Sequence, residues 1–276
     1  MHFALIDNYR MEAQPKLSGL CCCCLKPVIA KCGTRKIWHW AHKSKTDCDI
    51  WWEPETEWHR TWKNYYPNDW QEISLFNEKT REKHIADIRT IHNLVIEFQH
   101  SHIDPKERTS REHYYRNMVW IVDGTRLKRD YPRFLKEWKR DGISDVYQTD
   151  KSGIFKVGFP EFCFPEAWLK SSVPVIFDFR GTGLVEDSDG FRNKLYCLFP
   201  QVTKHARVAE ISHKAFIKAT TNGEWTSRVQ QFIDDFRKQD EIDQRRQKQT
   251  MFQSSRIIYT RRGIPLIGGY RKRRRL

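Results

Sequence analysis

Along LVIEFQHSHI, residues 94–103, apolar and polar side chains alternate with a period of two. On a β-strand that period puts Leu94, Ile96 and Phe98 on one face and Val95, Glu97, Gln99 and Ser101 on the other. WQEISLF and KHIADIRT read as two preceding strands, joined by polar connectors around Asn77 to Glu82 and at His92 and Asn93. Ahead of them PETEWHRTWKNYY opens at Pro54, continues with acids and contains no glycine, which predicts a helix. A second helix is expected near Arg111 to Asn117, and VWIVD reads as a fourth strand. Helix, three strands, helix, strand predicts an α/β fold in which helices flank a mixed β-sheet.

Beyond Asp123 the pattern is sparser. SVPVIFDF and LYCLFP read as strands, and Trp225, Val229, Phe232, Ile233 and Phe236 recur at helical spacing, a stripe suited to core packing. Four regions separate on composition: a Cys- and Lys-rich segment over 1–49, an α/β core over 50–125, an α/β region of unassigned role over 126–253, and a basic tail over 254–276.

Charge adds a class of partner. Lys and Arg outnumber Asp and Glu by 49 to 35, a net charge of +14, while 11 tryptophans among 276 residues supply packing surface that a disordered polyelectrolyte lacks. Such an excess favours a polyanion, because each neutralised phosphate releases counterions. The tail carries Arg271, Lys272, Arg273, Arg274 and Arg275 and no acid, which makes these residues candidates for nucleic-acid contact. No signal peptide and no membrane-length apolar run is present, so a cytoplasmic protein without a membrane partner is expected. In that setting the eight cysteines, six of them before Asp49, are thiols or metal ligands.

Within CCCC only Cys21 and Cys24 have the two-residue separation that paired Zn²⁺ ligands need. His42 of HWAH and Cys48 are the best second pair, with His39 and Cys32 as substitutes. A closed Cys₃His site would be structural, stabilising a zinc-ribbon-like segment too small to hold a core of its own. The alternative is a set of reduced thiols around Trp38 and Trp40.

Glu97 and Gln99 share a face, and a short hairpin brings Asp87 of the preceding strand beside Glu97. Two carboxylates converging at a hairpin end repel, a cost that a divalent cation offsets best. Mg²⁺ or Mn²⁺ there would leave coordination positions for a phosphate oxygen and a nucleophilic water.

The segments EPETEWHRTWK, ADI and IEFQHSHI, preceded by CCCC and HWAH, resemble in order and spacing the competence protein CoiA-like family over residues 20–123. The resemblance implies a restriction-endonuclease-like PD-(D/E)XK core. It makes Asp87 the motif's Asp, Glu97 its (D/E) and Gln99 the occupant of its Lys position, with Ala86 in place of Pro. It also turns the face shared by Glu55, His59 and Lys63 toward the metal. Glu55 would then be an outer ligand, His59 a phosphate or water contact, and Lys63 a replacement for the missing cation. Glu72 and Asp69 are lesser candidates, and Arg111 and Tyr115 could meet phosphate or pack.

The function expected is a Mg²⁺-dependent nuclease acting on DNA, in uptake, recombination or defence. Its rivals are a zinc-containing nucleic-acid-binding protein whose nuclease fold no longer cleaves, and a zinc-stabilised adaptor that binds protein.

Overall fold

The structure is a computed structural model that describes residues 1–44, 48–51, 53–78, 80–139, 142–182, 190–203 and 205–261. Arg271, Lys272, Arg273, Arg274 and Arg275 lie outside the described residues. The chain divides into two compact units, Met1–Gln230 and Gln231–Leu276.

The N-terminal segment forms five short strands, β1 (Phe3–Ile6), β2 (Tyr9–Glu12), β3 (Ser18–Cys21), β4 (Pro27–Lys31) and β5 (His39–His42). They pair antiparallel in the order β2-β1-β3-β4-β5. A cluster of Ala4, Ala13, Cys21, Cys23, Val28 and Trp40 fills its interior, whereas Trp38 is 48% exposed and belongs to no core.

Next come α1 (Glu57–Lys63), β6 (Gln71–Phe76), β7 (Lys83–Arg89), β8 (Val95–Gln99), α2 (Pro105–Tyr115) and β9 (Met118–Asp123). They are followed by α3 (Asp130–Trp138), β10 (Val146–Gln148), β11 (Ile154–Val157), α4 (Glu166–Leu169), β12 (Val175–Asp178), β13 (Lys194–Leu198) and β14 (Ala206–Ser212). Helices α5 (His213–Thr221) and α6 (Trp225–Arg261) end the described chain. Among the described residues β6 to β14 make one nine-stranded sheet, ordered β10-β11-β14-β13-β12-β9-β8-β7-β6. The predicted mixed α/β architecture is present, and the strands of 50–125 and of 126–253 belong to the same sheet.

The sheet is mixed because β8, β9 and β12 run parallel and their neighbours antiparallel. Parallel strands need a crossover, which α2 supplies between β8 and β9. Covered on both faces, β8, β9 and β12 are buried at every position. On one side of the sheet Trp120, Phe134, Phe164, Phe177 and Tyr196 form the centre of the main apolar cluster.

Two helix starts differ from the sequence reading. Helix α1 begins at Glu57, after Pro54 and Glu55, because Thr56 caps it and forms a capping box with His59. Helix α2 begins at Pro105 and not near Arg111: the Asp104 side chain accepts from Lys106 N at 2.8 Å and Pro105 takes the first helical position. It ends at Tyr115, where Arg116 turns to a φ of 60°. Among the described residues no helix is long and apolar enough to cross a membrane.

Candidate active site and metal centre

Helix α1 is fixed to the sheet by two indoles one turn apart. Trp58 and Trp62 donate their Nε1–H groups to Asp178 Oδ2 of β12, at 3.0 and 2.9 Å. This seating turns the face bearing His59 and Lys63 toward β7 and β8.

On those strands backbone pairing opens around one residue. Strand β6 pairs with β7 at Gln71↔Ile88 and Ile73↔Ala86, and β8 pairs with β7 at Ile88↔Ile96 and Arg89↔Val95. These registers set Asp87 opposite Glu72 on one side and opposite Glu97 on the other, and at neither place is the backbone ladder closed. Glu72 has a φ of 47°, a left-handed backbone that an L-residue adopts at a cost, and the register is the same on both sides of it. Side chains replace the missing ladder bonds: Asp87 N donates to Glu97 Oε1 at 3.1 Å, and Phe98 N to Asp87 Oδ2 at 3.0 Å.

The pocket over this opening is lined by six carboxylates (Asp49, Glu53, Glu55, Glu72, Asp87, Glu97) and by two cationic side chains, Lys63 and Arg111. Lys63, 3% exposed, has its Nζ 3.1 Å from Asp87 Oδ1 and 3.2 Å from both Glu55 Oε1 and Glu72 Oε1. Burial would lower its pKa, but Asp87, Glu72 and Glu55 together hold it well above the ordinary lysine value. Burial pushes Glu55 and Glu72 upward; Lys63, joined by Arg60 at Glu55, outweighs it and holds both below the usual range. Glu97 goes the other way. Burial, then the Asp87 charge, raise it to about 8 in spite of Arg111, whose Nη1 lies 3.3 Å from Glu97 Oε2.

The sequence-derived candidates do not all take the expected parts. Glu55 precedes the N-cap and is not on the helical face, yet reaches Lys63 and also Arg60 Nη2 at 2.6 Å. His59 borders the pocket, but both ring nitrogens are occupied: Nδ1 accepts from Thr56 N at 3.2 Å, so Nε2 donates to Phe98 O at 3.1 Å. A ring committed twice is a neutral clamp between α1 and β8, not a phosphate contact, and burial lowers its pKa accordingly. Arg111 is buried against Glu97, Glu107 and the Trp51 carbonyl, so it orients a carboxylate and does not meet external phosphate. Tyr115 is packed beside Trp51 and Tyr114. Asp69 lies in a short 3₁₀ turn ahead of β6.

Gln99 is buried, 1% exposed, and its Nε2 donates to Glu53. It lines the neighbouring pocket and not the acid one. Glu53 was not foreseen; an acid next to Pro54 in a segment without periodicity carries no signal of its destination.

At the N-terminal module, one ligand atom each from Cys21, Cys24, His42 and Cys48 lies within 4.8 Å of the others. The Cys21 and Cys48 sulfurs are 3.7 Å apart, and Cys24 Sγ is 3.2 Å from His42 Nε2. Tetrahedral Zn–S bonds of about 2.3 Å place sulfurs about 3.8 Å apart, so the thiol pair has the right span. The turn after β3 builds the pair: Leu25 N donates to Cys21 O at 3.0 Å and Cys21 N to Lys26 O at 2.9 Å, with Leu25 at a φ of 57°. Cys23 N points at Cys21 Sγ from 3.3 Å, the backbone support expected around a thiolate ligand. The neighbouring Cys48 lowers the Cys21 thiol to about 4. This set could hold a structural zinc, and four protein donors leave no position for water. Cys32 and His39 are outside it; His39 Nδ1 meets the Ile37 carbonyl at 2.9 Å.

Residues 10–51 match the family model described as the N-terminal domain of competence protein CoiA. That segment is similar to the CoiA N-terminal domain. No curated protein and no solved structure matches the chain. The match includes all four clustered ligands and stops before Glu53.

The N-terminal module is also a wall of the acid pocket. His2 N, just before β1, and Phe3 N, its first residue, donate to the Glu72 carboxylate at 2.8 and 3.3 Å. Lys83 of β7 donates to the Cys23 carbonyl. Next to Cys48, Asp49 accepts from Ile85 N at 2.6 Å and from His84 Nδ1 at 2.9 Å. The turns that carry the Cys and His cluster and the carboxylate row therefore share one hydrogen-bonded frame.

Proposed function

We propose that the chain is a metal-dependent nuclease that hydrolyses phosphodiester bonds in DNA, with a PD-(D/E)XK core made of α1, β6 to β9 and α2. The observation that carries this reading is the row Glu72, Asp87, Glu97, set across three strands where the backbone ladder opens on both sides of Asp87. A role in DNA uptake, recombination or defence agrees with the CoiA-like domain.

A divalent cation fits the donors. The pocket offers hard carboxylate oxygens in excess over cationic side chains, the preference of Mg²⁺ or Mn²⁺. Glu97, raised to about 8, marks a place short of positive charge. Asp87 and Glu97 would hold the cation, which when bound would neutralise charge on a phosphate oxygen and acidify an attacking water.

The chain's own groups do the positioning. Lys63 stands beside Asp87 with its charge locked on, ready to oppose the negative charge that develops on the phosphorane oxygens. That part a neutral Gln99 amide cannot take. Arg111 aims the Glu97 carboxyl, and His59 holds the Phe98 carbonyl so that the β8 backbone keeps its place. Glu97 must lose its proton to bind a cation, which ties metal affinity to pH.

A second reading, a zinc-containing nucleic-acid-binding protein with a degenerate nuclease fold, is favoured by one fact: the Gln99 amide nitrogen is committed to Glu53. Incubating the protein with linear, circular and single-stranded DNA, with and without Mg²⁺ or Mn²⁺, decides between them. Cleavage should require the added cation and fall at least about a hundredfold in folded Asp87→Ala and Glu97→Ala variants. Cleavage surviving both substitutions would remove this site from the chemistry. Salt-sensitive binding with no cleavage by the parent would select the second reading.

A further inference from the structure

On the other side of Gln99 a second pocket opens at the carboxyl ends of the parallel strands β8, β9 and β12, the place where open α/β sheets receive ligands. Ile103, Trp168 and Phe177 contribute an apolar wall, and His100, Arg126 and Arg133 a polar rim.

Three details point to an occupant. Asp123 Oδ2 lies 2.8 Å from His100 Nδ1, while its Oδ1 accepts from Thr125 N and Oγ1 at 2.8 and 2.6 Å, so the imidazole is held by one nitrogen. Gln99 Oε1 is buried and has no hydrogen-bond partner. Its orientation is fixed, since the Glu53 carboxylate can only accept and must face the amide nitrogen. Arg133 Nε is likewise buried and unpartnered, its guanidinium reaching Asp130 only at 3.6 Å. Such orphans in a native pocket call for a partner.

One orphan is an acceptor and the other a donor. A bare phosphate at neutral pH offers mainly acceptors and would answer Arg133 alone. A nucleotide offers both, base N–H groups for Gln99 and phosphate oxygens for the two arginines, with an aromatic plane for the apolar wall. We propose that this pocket takes one unpaired nucleotide, its base edge at Gln99 and its phosphate at Arg126 and Arg133. The inference rests on the nuclease reading only for the source of the strand. Because Gln99 follows Glu97 by two residues on the same face of β8, a nucleotide held at Gln99 would bring the adjoining phosphodiester toward Glu97. The substrate class is then single-stranded or locally unpaired nucleic acid, since a base stacked in a duplex cannot enter.

The test is calorimetric titration of the full chain, without added divalent cation, using 5′-mononucleotides and inorganic phosphate as separate probes. Mononucleotides should bind at least about tenfold more tightly than phosphate, and Arg126→Ala, at an exposed position, should weaken both probes about tenfold. Gln99→Leu should remove the preference for the nucleotide and leave phosphate binding in place. Equal affinity for the two probes overturns the proposal, as does binding indifferent to Arg126→Ala and Arg133→Ala in variants whose circular dichroism matches the parent. A parent that binds nucleotide through Arg126 yet cleaves nothing sustains the pocket and sinks the nuclease reading. Cleavage without arginine-dependent nucleotide binding does the reverse.

Discussion

The Lys63 ammonium lies 3.1 Å from Asp87 Oδ1, joining the last turn of α1 to the residue around which the β-ladder opens. The same nitrogen serves Glu55 and Glu72 at 3.2 Å, so one buried cation balances three carboxylates from three parts of the chain. Removing one partner from such a cluster is far more costly than the cluster's net contribution, because the charges left behind stay desolvated.

Lys63→Met keeps the apolar stem and removes the charge. In the absence of divalent cations urea unfolding should show a loss of about 3–5 kcal/mol. Added Mg²⁺ or Mn²⁺ should restore part of it, since a cation among the same oxygens does the ammonium's electrostatic work. An unchanged midpoint would mean that the three acids do not depend on Lys63.

Asp178→Ala tests the seating of α1. Both indole N–H groups at Trp58 and Trp62 would lose their shared acceptor inside the protein. At about 1–3 kcal/mol for each buried donor left unmade, the variant should be destabilised by several kcal/mol. Hydrogen exchange should quicken first in α1, the element that carries His59 and Lys63.

Much of this site could be read from the chain because it depends on short-range periodicity. Alternation placed Glu97 and Gln99 on one face, a hairpin brought Asp87 alongside, and Cys spacing picked out Cys21 and Cys24. What escaped is set by tertiary contacts. The α2 positions Arg108, Arg111 and Glu112 are polar, so a helical pattern assigns them to solvent, yet all three are buried through ion pairs and hydrogen bonds. Glu97 and Gln99 are buried for a related reason: β8 has a parallel neighbour and is covered on both faces. Strands β10 and β11 have three and four residues, too few for a period of two to register. Glu53 and Gln99 meet across 46 positions, a distance at which local pattern says nothing.

Loss of the N-terminal metal should be felt at the carboxylates. The protein as purified should contain about one zinc per chain, lost in His42→Ala and Cys48→Ser and kept in Cys32→Ser. Because Asp49, adjoining Cys48, accepts from Ile85 N, metal loss should raise amide exchange in β7 as well as in the first five strands. Elemental analysis and hydrogen exchange measure the two parts. Exchange confined to the N-terminal sheet would show that the shared frame does not transmit the loss.

Glu97 supplies the pH dependence. Its folded-state pKa is raised to about 8 from the ordinary carboxylate value of 4.5, with burial the first cause and Asp87 the second. Between those values the folded chain holds a proton that the unfolded chain has released, so stability from this group is complete below about 4.5 and is lost as the pH rises through about 8. The cation-free protein should therefore weaken across that window, by a few kcal/mol at most. Glu97→Gln keeps an acceptor for Asp87 N and cannot titrate, so its unfolding midpoint should be flatter over the same range and equal to or above the parent's at the alkaline end. A cation that displaces the proton binds more tightly as the pH rises, so the thermal shift produced by Mn²⁺ should grow from about pH 6 to about pH 9 in the parent and be nearly constant in Glu97→Gln. Parallel stability curves for the two proteins would mean that Glu97 is ionised throughout and that the pocket is not short of positive charge.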